Sequence, residues 1–99
     1  MKTAAKKKSK VDRKERDTEF SFLAPHAQRV FLAGNFNQWN PSSHPLKRDE
    51  HGVWKITLPL TPGRYEYRFV TDGKWENDPF CDGCSLNEFG TMNCVKIVK

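Results

Sequence analysis

The sequence predicts an all-β fold, an antiparallel β-sandwich, preceded by a basic tail. Three observations lead there. From Phe20 onward apolar residues recur in short runs, several with the period of two that belongs to strands. Gly, Pro and Asp-Gly turn signals separate those runs. No segment after the tail carries a 3.6-residue apolar repeat, so the connections are turns rather than helices.

The elements follow in order. Phe20-Ser21-Phe22-Leu23-Ala24 is a first strand, stopped by Pro25. Arg29 to Ala33 is a second and ends at Gly34. Gly52 to Leu58 alternates strictly, which puts Trp54, Ile56 and Leu58 on one face. Pro62-Gly63 turns the chain into Arg64 to Val70, where Tyr65, Tyr67 and Phe69 share one face and Glu66 and Arg68 the other. Asp72-Gly73 is a two-residue hairpin signal, which makes Lys74-Trp75-Glu76 a short returning strand. Asp78-Pro79 opens a long loop, and Cys94 to Val98 is the last strand.

Ninety-nine residues make one small domain, divided here into a tail over 1–19 and a sandwich over 20–99. The net charge of +5 is local: residues 1–19 carry +4 of it and the remainder only +1. Those first residues are polar and charged, and are expected to be a disordered basic tail with nascent helix over 11–17. Its Lys6-Lys7-Lys8 run could hold an anion such as nucleic acid, but solvated charge runs of this kind more commonly serve as tethers, so nucleic acid is not the expected partner. No apolar run approaches the ~20 residues that cross a bilayer, and no apolar stretch follows the basic residues as in a secretory signal. No membrane association and cytoplasmic residence are therefore expected. Three cysteines fit the latter, since an odd count makes a poor disulfide framework.

Two of the three tryptophans stand apart. Trp39 lies in Gly34-Asn35-Phe36-Asn37-Gln38-Trp39-Asn40-Pro41 and Trp75 in Asp72-Gly73-Lys74-Trp75-Glu76-Asn77-Asp78-Pro79. Neither segment alternates in a way that carries its indole into a core, whereas Trp54 does. Large flat aromatics in polar loops are usually contact residues. With Tyr65, Tyr67 and Phe69 inward, Arg68 faces out, and Trp75 can lie beside it. Indoles flanking a guanidinium suit a sugar ring, whose C–H faces stack while its hydroxyls need groups such as Arg68 and Asn93. Burying about 100 Å² on each indole at ~25 cal/mol/Å² gives on the order of 5 kcal/mol before association costs, which favours weak binding repeated along a polymer.

Val30 to Trp39, Gly63 to Pro79 and the run Phe89-Gly90-Thr91-Met92-Asn93 together resemble carbohydrate-binding module family 48. The likeness extends over about residues 20–99. It takes in the glycogen-binding domain of the AMP-activated protein kinase β subunit and the early-set domains of isoamylases and branching enzymes. The resemblance implies an immunoglobulin-like sandwich that binds α-1,4-linked glucan without catalysis. It also implies that the two platform tryptophans fall on Trp39 and Trp75. The family's basic strand residue, a lysine in the kinase domain, falls on Arg68, and its hydroxyl-binding asparagine on Asn93. Phe89 stands where the kinase domain inserts a leucine against the sugar, in a loop about one residue longer.

Plainer readings stand beside these. Arg68 also fits as a cross-strand partner of a carboxylate, and Asn93 as a side chain satisfying its own turn. Cys81-Asp82-Gly83-Cys84 has the spacing of a zinc knuckle, but His26, His44 and His51 are distant in sequence and no βαβ setting suggests redox chemistry, so no metal or cofactor is expected. No carboxylate pair is placed with a nucleophile, so no enzymatic activity is expected. The alternative function is an adaptor on the same fold that docks a kinase subunit or a glucan-metabolising enzyme.

Overall fold

The computed structural model describes residues 14–99. Eight strands are present there: β1 (Arg16–Leu23), β2 (Val30–Gly34), β3 (Lys47–Arg48), β4 (Val53–Leu60), β5 (Gly63–Thr71), β6 (Lys74–Glu76), β7 (Gly83–Leu86) and β8 (Met92–Val98). They form two antiparallel sheets, one ordered β1-β4-β3 and the other β2-β5-β8-β7, with β6 also paired to β5. The described residues contain no helix, and so none long and apolar enough to cross a membrane. The expected all-β sandwich is the fold observed.

The two inner faces meet through aromatic rings. Phe20 and Phe22 project from β1, Tyr67 and Phe69 from β5, all buried as the period of two requires. Phe22 stacks on Phe69 with ring centroids 4.6 Å apart, and Phe20 meets Tyr67 edge to face at 4.9 Å. Such pairs each add about 0.5–1.5 kcal/mol beyond the area they bury. Trp54 belongs to this core and donates its indole N–H to the Ala24 carbonyl at 2.9 Å. The Tyr67 hydroxyl finds an acceptor in Asp78 at 2.8 Å; burial raises its pKa well above the usual phenol value.

Several boundaries differ from the sequence expectation. The first strand reaches back to Arg16, so residues 16–19, expected in the tail, pair with Leu60 to Thr57. The cause is Thr18, buried two residues before Phe20, which prolongs the inward row with a small polar side chain that apolar patterning overlooks. Asp17, expected at the end of a nascent helix, is extended and sits opposite Pro59. Lys14, Glu15 and Arg16 of that expected helix are not helical either, while residues 11–13 and the Lys6-Lys7-Lys8 run lie outside the described residues. Strands β3 and β7 were not expected. Both are short edge strands of charged, small or exposed residues, and they are held by their neighbours' ladders rather than by apolar faces. The hairpin at Asp72-Gly73 forms as its sequence dictates: φ is 48° at Asp72 and 87° at Gly73, positive at both central positions as a type I′ turn demands.

Candidate functional site

The outward face of the five-stranded sheet carries the site. Alternation along β5 sends Glu66, Arg68 and Val70 away from the core. The ladder between β5 and β6 sets Val70 opposite Trp75, and that between β7 and β8 sets Ser85 opposite Asn93. Over this surface opens a cleft of about 670 Å³. Trp39, Arg68, Trp75, Phe89 and Asn93 all line it, so the five residues singled out from sequence converge on one concavity.

Trp39 reaches the cleft through a strained turn. Gln38 and Trp39 have φ of 57° and 56°, the left-handed region that costs non-glycine residues about 1–3 kcal/mol each. Asn37 holds the turn from beneath. Its buried amide accepts from the Gly34 N–H at 3.0 Å and donates to the Leu32 carbonyl at 3.0 Å, and it also contacts Nδ1 of His44. The Gly34 carbonyl accepts the Trp39 N–H at 2.8 Å. Gly34 is itself obligatory, because an added Cβ would come within 2.6 Å of the Glu66 carbonyl oxygen.

Trp75 lies across the sheet and is 41% exposed. The Arg68 guanidinium sits over its ring, 5.9 Å from the centroid, and donates through Nε to Asn77 Oδ1 at 2.7 Å. Asn77 is anchored in turn on the Met92 carbonyl. The carboxylate partner considered for Arg68 is not the one found. The ion pairs among the described residues are His51–Glu50, Lys55–Asp49 and Arg64–Glu66. Arg68 is therefore a fixed planar cation whose charge is not neutralised by a paired acid. No protein acceptor is found for the indole N–H of Trp39 or Trp75 among the described residues, in contrast to Trp54.

Asn93 is only 6% exposed and forms the floor. Rather than satisfying its own turn, it donates to Glu66 Oε1 at 3.1 Å and accepts from Asn87 Nδ2 at 3.1 Å. Its second amide N–H has no acceptor among the described residues. The Asn93 amide first, and the Arg64 guanidinium second, hold the Glu66 carboxyl below its ordinary value, so it is ionised at neutral pH. At the rim, Asn87 Oδ1 accepts the N–H groups of Phe89 and Thr91, and Gly90 closes the turn at φ 82°. That turn presents Phe89 at 82% exposure.

The sequence reading did not single out Asn35, Glu66, Asn87, Glu88 or Thr91, which share the cleft. Alternation already set Glu66 on the face of Arg68, a signal that was available. Asn87 is found only through the hydrogen bonds of its loop. The thiols of Cys81, Cys84 and Cys94 are unpaired, and burial pushes that of Cys94 up to about 12. Among the described residues no group of three or more His, Cys, Asp or Glu is arranged to hold a metal.

Comparison with known proteins identifies the family. Residues 6–81 match the family model described as carbohydrate-binding module 48 (isoamylase N-terminal domain), and the chain belongs to that family. The match starts earlier than the likeness read from sequence and ends before Phe89 and Asn93. A 1,4-alpha-glucan branching enzyme of Xanthomonas campestris is 45% identical over 58 residues, covering 56% of this chain and 8% of the enzyme. The branching enzyme of Aquifex aeolicus is 39% identical over 77 residues, 71% of this chain and 12% of the enzyme. The chloroplastic protein FLOURY ENDOSPERM 6 of Oryza sativa is 45% identical over 53 residues, 54% of this chain and 10% of that protein. The chain thus spans about a tenth of the length of the relatives it matches.

Proposed function

We propose that this domain binds α-1,4-linked glucan (glycogen, starch or maltooligosaccharide) without catalysing a reaction, by stacking glucose rings on Trp39 and Trp75. The carrying observation is the cleft itself: it is lined by two indoles whose N–H groups find no acceptor among the described residues, and by a guanidinium that is fixed by Asn77 over one of them, Trp75. Pyranose faces are apolar and their rims are hydroxylated, so this surface complements both parts. Asn93 supplies an N–H from the floor, and Phe89 offers an exposed apolar face at the rim. Family membership and relatives that act on 1,4-alpha-glucan point to the same ligand class.

Retention on glycogen and titration with maltoheptaose, followed by tryptophan fluorescence, test the reading. The Trp39→Ala/Trp75→Ala variant loses both responses while keeping the folded circular dichroism spectrum. A double variant that still binds refutes the assignment. A rival reading, an adaptor that docks a kinase subunit or glucan-metabolising enzyme, draws on the exposed Phe80, Leu86 and Phe89. Wild-type protein silent towards millimolar maltoheptaose would favour it.

A further inference from the structure

The outward sheet face does not end at Trp75. A second concavity of about 490 Å³ shares Trp75 as a wall. The first cleft takes Glu66 and Arg68 from β5, and the second takes Val70 and the turn at Asp72 and Gly73. Trp75 therefore stands between two hollows that follow one another along the same strand. The neighbouring loop is divided likewise, with Trp39 lining the first and Pro41 the second.

The surface chemistry of the second hollow has the same two components as the first. Register places Phe31 opposite Val70 and Val70 opposite Trp75, so an apolar row crosses β2, β5 and β6 on the outer face. Pro41 adds to it, and Arg29 stands at the far end. Asp72 brings no free charge-pairing demand of its own, because its carboxylate accepts the backbone N–H groups of Gln28 and Arg29 at 2.9 Å. Arg29 takes part in none of the ion pairs among the described residues. Flat or smooth apolar groups with a cation at the margin suit another pyranose ring and its hydroxyls.

We infer that the second hollow is an extension subsite, occupied by glucose units of the same α-glucan chain after it passes over Trp75. The occupant is specified by continuity, since the two hollows share an indole and one sheet face. The inference rests on the α-glucan reading of the first cleft. It predicts a preference for chains long enough to fill both hollows, read by the row Phe31–Val70–Trp75 and by Arg29.

The test compares maltotriose with maltoheptaose by calorimetry and by amide chemical shifts, in wild-type protein and in Arg29→Ala and Arg29→Ala/Phe31→Thr variants. Maltoheptaose, but not maltotriose, shifts the amides of Phe31 and Gly73 in wild-type protein. The double variant binds maltoheptaose about five- to tenfold more weakly and maltotriose unchanged, a difference of about 1–1.4 kcal/mol. Arg29→Ala, which leaves the strand residues in place, gives a smaller loss of the same length dependence. Equal losses for both sugars, or none for either, overturn the extension subsite while the first cleft stands. Failure of wild-type protein to bind either sugar removes the first reading and this one together.

Discussion

Truncating Trp75 and Trp54 separately divides recognition from folding. Trp75 is 41% exposed, and its indole N–H has no protein acceptor among the described residues. A sugar ring that covers about 100 Å² of it gains ~2.5 kcal/mol at ~25 cal/mol/Å². The Arg68 guanidinium over the ring adds to the loss, because without the indole it keeps only its Asn77 and main-chain contacts. After association costs, Trp75→Ala should weaken maltoheptaose binding by roughly 1.5–2.5 kcal/mol, or about 10- to 70-fold. Its cost to folding is about 1 kcal/mol, a fall in Tm of roughly 4–8 °C for a domain of this size. Trp54 is 8% exposed and satisfied by Ala24. Trp54→Ala removes a core ring and one of the two donors to that carbonyl, which keeps the Ala27 N–H, at about 3–5 kcal/mol, or roughly 15–30 °C in Tm. Fluorescence titration and thermal unfolding of both variants check the division. A Trp75→Ala protein that binds sugar normally, or loses as much stability as Trp54→Ala, refutes the reasoning.

Two further variants probe how the cleft is held. Asn37→Ala leaves the Gly34 N–H and the Leu32 carbonyl without their side-chain partner, and should cost about 2–4 kcal/mol in urea unfolding and also weaken maltoheptaose binding by releasing Trp39. An unchanged urea midpoint would show that the turn does not depend on Asn37. Glu66 is held below the ordinary carboxyl value of 4.5, so its ionised form is favoured by the fold; its contribution is present above 4.5 and is lost as pH falls through the lower native value. Stability in urea unfolding should carry no Glu66 contribution to its slope from about pH 7 to pH 5 and should fall once pH passes below 4.5, with Glu66→Gln removing that part of the acid loss. A drop centred near pH 6 would point to a different group.

The fold was legible where a physical signal was local. Strict alternation placed Trp54 inward and Arg68 outward, and Asp72-Gly73 specified its own turn through the positive φ that both positions adopt. The signal failed where a strand owes its existence to its neighbours. Gly83–Leu86 has no apolar period, and it is a strand because β8 offers a free edge beside it. Thr18 marks the limit of reading strands by apolar residues alone, since a buried threonine continues the row without looking apolar.

The site was legible at its aromatic and cationic members and obscure at their supports. Trp39, Trp75 and Arg68 stood out because such side chains in polar loops, or on a strand's outer face, lack a core to enter. Asn37, Asn77 and Asn87 did not stand out, because asparagine is common in turns and its geometry appears only after folding. Yet each one holds a neighbour in place. Asn37 ties the Trp39 turn to β2, Asn77 fixes the Arg68 fork, and Asn87 shapes the rim that carries Phe89. Backbone strain at Gln38 and Trp39 aims one indole, and the hydrogen bonds of Asn37 offset that strain. A weak ligand repeated along a polymer demands little affinity per site, but it does demand that both ring faces be set in advance, because ordering two indoles at binding would consume much of the ~5 kcal/mol that stacking supplies. On the proposed glucan reading, preorganisation by asparagine amides, that of Asn37 buried, is thus the feature that would make Trp39 and Trp75 a binding surface rather than loose apolar residues.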